Sequence, residues 1–508
     1  MPRVDLTTAR EQSYDVCIVG AGAAGLAAAV ALQRAGRRVI LVERGGLTAG
    51  RDPVEPEIPE GVPHDPVALT TRQGLGGTMT IWGGRCVPFE RADFAPRPGA
   101  PAGWPISYDE YARWVPDAAA FLGVDPAFTC PPPPGWEALD GVSADRVERL
   151  SPGRLIPRMI RRLLADRAGP DILPEAPVEG LTWAGDRVTG VCVAGEPLAA
   201  DRVILACGGL QTTRLLLLEE ARAPGRLTGA ALLGRAYMGH LTGSIARITF
   251  DGRTDLSDFG YRGGARARPS RRKMLVLPEK SNHVAFWVEN LPQGDPAHRS
   301  GELSLKALVR GMTDDRRTRA HLDNIRADPL GAASGVLSGL RTRLNAEERH
   351  PSRLILRGPG PYRLAYHAEH LPVAESRVEL MQADQRLRIV FDYGEPTITG
   401  TVAAHRQLAA ALQAAGLARV EMDDDDDALA RSVAAQARDG YHQIGLARMS
   451  AGPETGVVDA DCQVHGTRNL YVASAAAFPV SSQANPTLSV VALALRLAAH
   501  LARDGAER

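Results

Sequence analysis

The segment DGYHQIGLARMS, residues 439–450, contains a histidine, His442, whose side chain could take part in catalysis. Its imidazole can accept or donate a proton near neutral pH. A glycine follows three residues later, and an Arg-Met pair comes after that. A lone histidine is, however, more often a core residue than a catalyst. The segment alone leaves two interpretations of His442 open, a general base and a structural histidine.

A glycine-rich turn near the start of the chain could bind phosphate. The segment GAGAAG, residues 20–25, lies between the apolar run YDVCIV and the helical composition LAAAVALQRAG. In this spacing Gly20 permits a tight turn, Gly22 lets the backbone approach a pyrophosphate, and Gly25 lets the helix pack closely on the sheet. The N-terminus of the helix adds partial positive charge. The pattern predicts a dinucleotide site, and a glycine-rich turn of another α/β protein is the alternative.

An acidic residue ends the next expected strand, RVILVE. Glu43 follows Gly25 at the distance where a carboxylate binds the ribose hydroxyls of an adenosine. Because this carboxylate would repel a 2′-phosphate, NADP is disfavoured, and NAD and FAD remain. The fingerprint stands near the start of the chain, and a second complete fingerprint is lacking. These two observations favour FAD.

Two further segments are expected to reach the cofactor. The loop TRQGLGGTMTIWGGRC, residues 71–86, contains five glycines and Trp82, which predicts close approach of the backbone to a ligand. The segment RVILACGGLQTTRLLLL, residues 202–218, reads as a strand that runs into a helix, with residues 206–209 near the cofactor. Trp82 could equally be a core residue.

Composition excludes several classes of function. The 508 residues carry 59 basic and 59 acidic side chains, so the clustered cations of a nucleic-acid-binding protein are not indicated. The six cysteines form no CxxC pair, and neither a metal site nor disulfides are expected. We find no secretory signal, and the apolar segment TLSVVALALRLAAHLA is interrupted by Arg496 and His500. A protein without membrane insertion, in the cytoplasm, is therefore expected.

The segment 244–439 differs from the rest. Runs such as SRVELMQ and LRIVFDY alternate in polarity, which predicts antiparallel strands of a domain that shapes the substrate site. Five consecutive aspartates, Asp423 to Asp427, precede the helical segment ALARSVAAQAR. We favour a helix-capping role for them over a cation site.

Taken together, these motifs resemble the glucose-methanol-choline (GMC) oxidoreductases, FAD enzymes that oxidise alcohols. The matching segments include GLGGTMTIWGG, VILACGGLQTTRLLL, LLGRAYMGH, AEHLPVAESRVEL, YHQIGLARM and ANPTLSVVALALR, and they leave out only about residues 250–350. GGTMTIWGG and ANPTLSVVALALR are most similar to the pyranose-oxidase-like, sugar-oxidising branch.

The resemblance implies an α/β fold with a Rossmann-like FAD-binding domain of GMC type. An interleaved α+β substrate domain on an antiparallel sheet accompanies it. The FAD-binding domain is expected to comprise residues 12–98, 171–243 and 440–508. The substrate-binding domain is expected to comprise 99–170 and 244–439.

The resemblance also implies the site residues. In the family a catalytic histidine stands in the YHxxG segment and a second His or Asn about 40 residues later; these positions match His442 and Asn485. Imidazole suits removal of the hydroxyl proton, and the amide can orient the same oxygen. The expected cofactor-binding residues are Gly20, Gly22, Ala23, Ala24, Gly25, Glu43, Arg44, Gly76, Gly77, Thr78, Trp82, Gly83, Val178, Ala206, Cys207, Gly208, Ser474, Asn485, Pro486 and Thr487.

Pro486 is well suited to begin a helix, and that helix would direct its positive end at the charge that develops on the reduced flavin.

Three positions depart from the family pattern. Ile81 stands where members with covalent FAD have a histidine, so a non-covalent FAD is expected. Ser474 replaces a frequent aspartate, and Leu446 replaces a more usual threonine.

We expect an FAD-dependent oxidoreductase that acts on a hydroxyl of a sugar or sugar-like alcohol, including amino sugars and glycosides of secondary metabolism. Its electron acceptor would be oxygen or another acceptor. A lyase of the hydroxynitrile-lyase type, which uses this fold with FAD as a structural element, and a non-catalytic flavin-binding protein are the alternatives.

Overall fold

The structure is a computed structural model that describes residues 1–51, 55–97, 103–261, 269–278, 281–335 and 353–503. Its strands in chain order are β1 (Val16–Val19), β2 (Val39–Val42), β3 (Arg85–Cys86), β4 (Val142–Leu150), β5 (Asp171–Leu173), β6 (Val178–Ala184), β7 (Arg187–Val193), β8 (Glu196–Ala199), β9 (Arg202–Leu205), β10 (His240–Phe250), β11 (Ser270–Val276), β12 (Val284–Glu289), β13 (Tyr362–Glu369), β14 (Arg377–Leu380), β15 (Leu387–Val390), β16 (Ala418–Glu421) and β17 (Leu470–Val472).

The helices of the described ranges are, in chain order, α1 (Leu6–Arg10), α2 (Ala23–Arg34), α3 (Val67–Thr70), α4 (Tyr108–Ala112), α5 (Val115–Phe121), α6 (Leu155–Ala165), α7 (Gly208–Arg222), α8 (Gly301–Val309), α9 (Asp315–Ala327), α10 (Glu395–Ala414), α11 (Asp426–Gln436) and α12 (Thr487–Arg503). Short 3₁₀ helices cover Gly77–Thr80, Arg91–Phe94, Ala230–Leu232, Leu256–Phe259, Pro296–His298 and Ala475–Ala477.

A parallel sheet in the order β17-β9-β1-β2-β5 forms the centre of the expected cofactor domain. The strands β1 and β2 are buried along their whole length, as continuous apolar strands in a parallel sheet require. Helix α2, rich in alanine and leucine, packs against α12 beside this sheet. The predicted strand-turn-helix-strand order of residues 14–43 and the strand-to-helix order of residues 202–218 are confirmed.

An antiparallel sheet in the order β16-β10-β13-β12-β11-β4-β3 forms the second layer. The runs SRVELMQ and LRIVFDY form a separate antiparallel pair, β14 with β15. The aspartate run ends in a cap, because the side chain of Asp425 accepts a hydrogen bond from the backbone N–H of Asp427 at the start of α11. The capping interpretation is therefore confirmed.

Two strands pair across the predicted domain boundaries, and the boundaries themselves stay a prediction. Strand β3 lies inside the range 12–98, yet its backbone pairs with β4 of the antiparallel sheet. Strand β10 begins at His240, inside the range 171–243, because its first residues pair with β13. The predicted ends at residues 98, 99 and 508 lie outside the described residues.

Helix α12 confirms the helix expected after Pro486, and its Leu, Val and Ala side chains are mostly buried. Among the helices of the described ranges, none is both long and apolar enough to cross a membrane.

The close packing at Gly25 generates a prediction about stability. A Cβ at this position would lie 1.9 Å from the carbonyl oxygen of Gly20, so α2 would have to move away from the sheet. We expect Gly25→Ala to lower the free energy of unfolding by about 1–3 kcal/mol and to lower the FAD content of the purified protein. Thermal unfolding and flavin absorbance measure both. Gly50→Ala is the control, because a Cβ there meets nothing within 4 Å; equal behaviour of the two variants would contradict the packing argument.

Candidate active site

A cavity of about 530 Å³ opens where β1, β2 and β9 end. The carboxyl ends of parallel strands and the following turns form such a crevice in doubly wound folds. Most residues expected to bind the cofactor line it: Gly20, Gly22, Ala23, Ala24, Glu43, Arg44, Gly77, Thr78, Trp82, Val178, Ala206, Cys207, Gly208, Ser474, Pro486 and Thr487. The structure therefore brings together residues from five separate parts of the chain.

Four expected residues lie outside this lining. Gly25 packs behind the turn against Gly20, and Gly76 donates its N–H to the carbonyl of Ala21 at 2.9 Å, so both shape the turn from outside the cavity. Gly83 is exposed. Asn485 is adjacent to His442. The expectation that Gly25, Gly76 and Gly83 contact the cofactor stays a prediction.

Glu43 accepts three backbone hydrogen bonds. Its Oε2 accepts from the N–H of Ala21 at 2.7 Å, and its Oε1 accepts from the N–H groups of Gly45 and Gly74, both at 2.8 Å. A carboxylate has about four lone-pair sites, so one is left for a ligand. Glu43 thus fixes three loops around the cavity and can accept from one ribose hydroxyl, whereas the sequence suggested two.

The N-terminus of α2 is built to receive a diphosphate. Gly22 occupies the N-cap position and provides no side-chain cap, and a Cβ placed there would meet nothing within 4 Å. The first N–H groups of the helix therefore remain available to an anion in the cavity. With Glu43 on one side and the start of α12 on the other, these donors fit FAD.

His442 lies at the edge of the cavity, because both of its neighbours, Tyr441 and Gln443, line it. The Nδ1 atom of His442 is 2.8 Å from Oδ2 of Asp439, and its Nε2 atom is 3.4 Å from Nδ2 of Asn485. Because the carboxylate accepts, Nδ1 carries the proton, and the lone pair of neutral His442 is on Nε2. Oδ1 of Asn485 is buried without a hydrogen-bond partner among the described residues.

Asp439 is a buried carboxylate that sequence reasoning missed. Its Oδ1 accepts from the backbone N–H groups of Gly440 at 2.7 Å and Tyr441 at 2.8 Å, and its Oδ2 accepts from the backbone N–H of His240 at 2.8 Å. Burial alone would raise the pKa of Asp439, but the charge and hydrogen bond of His442 bring that pKa well below its ordinary value. Asp439 is therefore an ionised acceptor behind the imidazole.

Two further histidines, also missed, surround His442. The rings of His240 and His367 are stacked with centroids 4.2 Å apart, and Nδ1 of His240 is 3.0 Å from Nδ1 of His442. Burial, with the neighbouring imidazoles, holds the pKa of His240 and of His367 well below the ordinary value, so both are neutral.

These three histidines lie close enough to suggest a metal site. Nδ1 of His367 donates to the carbonyl of Gln483, which leaves only Nε2 as a ligand atom. The rings of His240 and His367 are only 19° from parallel, and stacked rings cannot both direct an in-plane lone pair at one ion. The arrangement disfavours a metal ion, and the expectation of no metal stays a prediction.

The three unusual positions have distinct surroundings. Ile81 is 39% exposed and is outside the cavity lining, and none of the described residues that line the cavity is a histidine. The lining also contains Cys207, but burial raises the pKa of its thiol to about 11, so that side chain is a poor nucleophile. Ser474 lines the cavity and accepts from the N–H of Ala476, while Leu446 is fully buried in the core.

Residues 372–494 match the family described as GMC oxidoreductase, and residues 14–237 match the family described as pyridine nucleotide-disulphide oxidoreductase. The 6′′′-hydroxyparomomycin C oxidase of Streptomyces lividus is 24% identical over 550 residues, which cover 98% of this chain and 93% of that protein. The dehydrogenase str4 of Strobilurus tenacellus is 40% identical over 76 residues, which cover 15% of this chain and 12% of that protein.

Solved structures share the fold. An FAD-dependent oxidoreductase from Chaetomium thermophilum is 17% identical with a TM-score of 0.56, over 97% of this chain and 100% of that one. A formate oxidase variant of Aspergillus oryzae RIB40 is 17% identical with a TM-score of 0.51, over 98% and 99% of the two chains. A fungal aryl-alcohol oxidase is 16% identical with a TM-score of 0.51, over 97% and 99%.

The contact between Asp439 and His442 generates a prediction. In Asp439→Asn the amide can donate to Nδ1, which would move the imidazole proton to Nε2 and remove the basic lone pair. We expect the rate of flavin reduction by a reducing substrate to fall by about 10²–10⁴-fold, with FAD content and substrate affinity nearly unchanged. Anaerobic stopped-flow absorbance separates rate from affinity.

Asp65→Asn is the control for this variant, since Asp65 is a nearby carboxylate that pairs with Arg438 instead of a histidine. An Asp439→Asn protein that reduces its flavin at the normal rate would refute a positioning role.

The position of Ile81 generates a second prediction. Because neither a histidine nor a reactive thiol is available in the described lining, acid denaturation should release all the flavin into the supernatant. Absorbance of the supernatant and of the washed precipitate measures the partition. A yellow precipitate would contradict non-covalent binding.

Proposed function

We propose that this chain, which matches the GMC oxidoreductase family over residues 372–494, is an FAD-dependent enzyme of GMC type that oxidises a hydroxyl group of a sugar or sugar-like alcohol, with His442 as the general base. The observation that supports the proposal most is the pairing of His442 and Asn485 beside the cavity, with an ionised carboxylate behind the imidazole.

Each residue has a defined part in this proposal. Nε2 of His442 takes the proton of the substrate hydroxyl, and Nδ2 of Asn485 donates to the same oxygen and orients it. Asp439 stabilises the imidazolium that forms, because it is charged and 2.8 Å from Nδ1. When bound, FAD supplies the acceptor for the hydride that leaves the carbon. Gly22, Glu43 and Thr487 would hold it at three points of the cavity.

The start of α12 supports the same assignment. Pro486 and Thr487 line the cavity at the N-terminus of this helix. The partial positive charge of a helix N-terminus favours negative charge nearby. In the proposed reaction, this end of α12 would stabilise the negative charge that hydride transfer brings into the cavity.

The substrate class is supported by a relative. The Streptomyces lividus protein is named for 6′′′-hydroxyparomomycin C, an aminoglycoside, and it aligns with nearly the whole chain. We therefore propose a hydroxyl on a sugar ring or its exocyclic carbon, with amino sugars as one class to test. The pyranose-oxidase-like branch, the cytoplasmic location and the identity of the electron acceptor stay predictions.

The test of the proposed function is anaerobic mixing of the yellow holoenzyme with a panel of sugars and alcohols. Bleaching of the visible flavin band by one of them is the expected result, since it reports hydride transfer. Cyanohydrin cleavage without bleaching by any compound would instead favour a lyase. Repeating the reaction in air and with quinone or dye acceptors distinguishes an oxidase from a dehydrogenase.

The base assignment generates its own prediction. We expect His442→Ala to slow flavin reduction by about 10²–10⁴-fold, the contribution of a positioned base, and to keep its FAD, because His442 is outside the residues that line the cavity. Stopped-flow reduction and the flavin-to-protein absorbance ratio measure the two effects.

His500→Ala is the matched control, because this histidine lies on α12 near Asp461, far along the helix from the cavity. Normal reduction by His442→Ala would show that another group takes the proton.

A further inference from the structure

The face of the antiparallel sheet that carries the active-site histidines extends to other side chains. Thr242 pairs with His367, and His367 pairs with Ala285 on the next strand. Residues paired across antiparallel strands point to the same face, and so do residues two apart on one strand. His240 and Trp287 therefore share the face of His367.

A group of charged side chains surrounds Trp287 on this face. We call Arg85, Arg271 and Lys273 the cationic cluster. The guanidinium carbons of Arg85 and Arg271 are each 4.4 Å from the centroid of the Trp287 ring, and Nζ of Lys273 is 5.3 Å from it. The fully buried Glu148 contacts all three cations, at 2.9 Å from Nε of Arg85, 3.0 Å from Nε of Arg271 and 3.1 Å from Nζ of Lys273.

The charges of this group do not balance. Three cations share one buried carboxylate, and the next carboxylate, Glu289, is 3.8 Å from Arg271 and is itself paired with Arg363 at 3.6 Å. Among the described residues two positive charges therefore remain in excess, on side chains as buried as Lys273 (1% exposed) and Arg271 (7% exposed). Buried charge without a counterion is costly. Burial, together with the neighbouring arginines, lowers the pKa of Lys273 to about 8, so it remains mostly protonated at neutral pH.

The excess charge includes donors that Glu148 does not saturate. Nη2 of Arg85 is buried without a hydrogen-bond acceptor among the described residues. Nζ of Lys273 is 3.1 Å from Oε2 of Glu148, and because an ammonium group has three N–H donors, this contact leaves donors of Lys273 for a second acceptor. A lysine and an arginine with such donors match the two oxygens of a carboxylate. A ligand carboxylate would satisfy the free donors and reduce the unbalanced charge in one step.

The cationic cluster is close to the proposed base. The charges of Arg85 and Lys273 contribute to the lowered pKa of His367, after burial and the neighbouring histidines. The ring of His367 is 5.7 Å from the ring of His442. Trp287 is one strand and two residues away from His367, which corresponds to roughly 8 Å between Cα atoms. This separation is comparable with the size of one sugar ring.

We propose that Arg85 and Lys273 form a subsite that binds a carboxylate of the substrate while the reacting hydroxyl lies at His442 and Asn485. The substrate class would then be a hydroxy acid of sugar type, such as a uronic acid. This inference rests on the proposed function, since it places the carboxylate on the molecule that is oxidised. It also predicts weaker binding of an amino sugar whose ammonium group lies at this subsite, because the cationic cluster would repel that group.

The first test compares three sugars with the same pyranose ring and different charge. D-Glucuronate, D-glucose and D-glucosamine are titrated separately into the anaerobic holoenzyme, and the change in flavin absorbance and the thermal midpoint report binding. We expect glucuronate to bind at least about tenfold more tightly than glucose, as one charge-assisted pair provides, and glucosamine to bind more weakly than glucose.

The second test removes one cation at a time. Lys273→Met should raise the Kd for glucuronate by about tenfold to a hundredfold and leave the Kd for glucose within a factor of about three. Arg363→Met is the matched control. Arg363 lies on β13, two residues from Ala365, which is the cross-strand partner of Trp287, and its charge is balanced by Glu289. If Lys273→Met does not fold, Arg85→Met provides the same comparison.

The outcomes separate the subsite from the proposed reaction. Equal binding or equal absence of binding of the three sugars, or a preference for glucosamine, overturns the subsite. Binding of glucuronate that depends on Lys273, with no flavin bleaching by any alcohol, supports the subsite and contradicts the proposed oxidation. Bleaching by neutral sugars, together with a Kd for glucuronate that Lys273→Met leaves unchanged, supports the oxidation and overturns the subsite.

Discussion

The buried carboxylate of Asp439 links the first residue of β10, in the antiparallel sheet, to the loop that carries the candidate base. Its oxygens accept hydrogen bonds from the backbone of Gly440 and Tyr441, from the backbone of His240 at the start of β10, and from the imidazole of His442. If the carboxylate were lost, several buried N–H groups would be left without acceptors, each at a cost of about 1–3 kcal/mol. The position of the candidate base therefore depends on the register of a strand from the substrate sheet.

Glu43 shows the same physical solution at the other end of the cavity. There too, one side chain accepts backbone N–H groups from three loops that are distant in sequence. Loops at the end of a parallel sheet expose backbone donors that regular pairing does not satisfy, and an ionised oxygen is a strong acceptor for them. Two carboxylates thus accept backbone N–H groups from the irregular segments around the cavity.

The parts that could be predicted from the sequence are those with a local pattern. The turn from Gly20 to Gly25 was predictable, because its spacing, flanking strand and helix all lie within about thirty residues. His442 and Asn485 were identified by resemblance alone, since their contact arises only when α12 packs beside the loop that holds the base. Asp439 precedes His442 by three residues, but it lies in a loop, where no periodicity relates the two side chains. His240 and His367 belong to strands that meet only in the folded sheet, and the excess charge around Glu148 is likewise a property of pairing across strands.

The hydrogen bond from β10 to Asp439 also limits how such an enzyme can diverge. Any substitution or insertion that shifts β10 moves the acceptor behind the imidazole, so variation in this strand is coupled to the loss of the base. The side chains of β4, β11 and β12 do not bond to Asp439, and alternate residues of these strands lie on the same face as the histidines. Relatives with other substrates should therefore differ mainly on those strands, while the length of β10 and its offset from β13 stay constant. Changes of substrate specificity would therefore accumulate on β4, β11 and β12, whereas β10 would be constrained by its contact with Asp439.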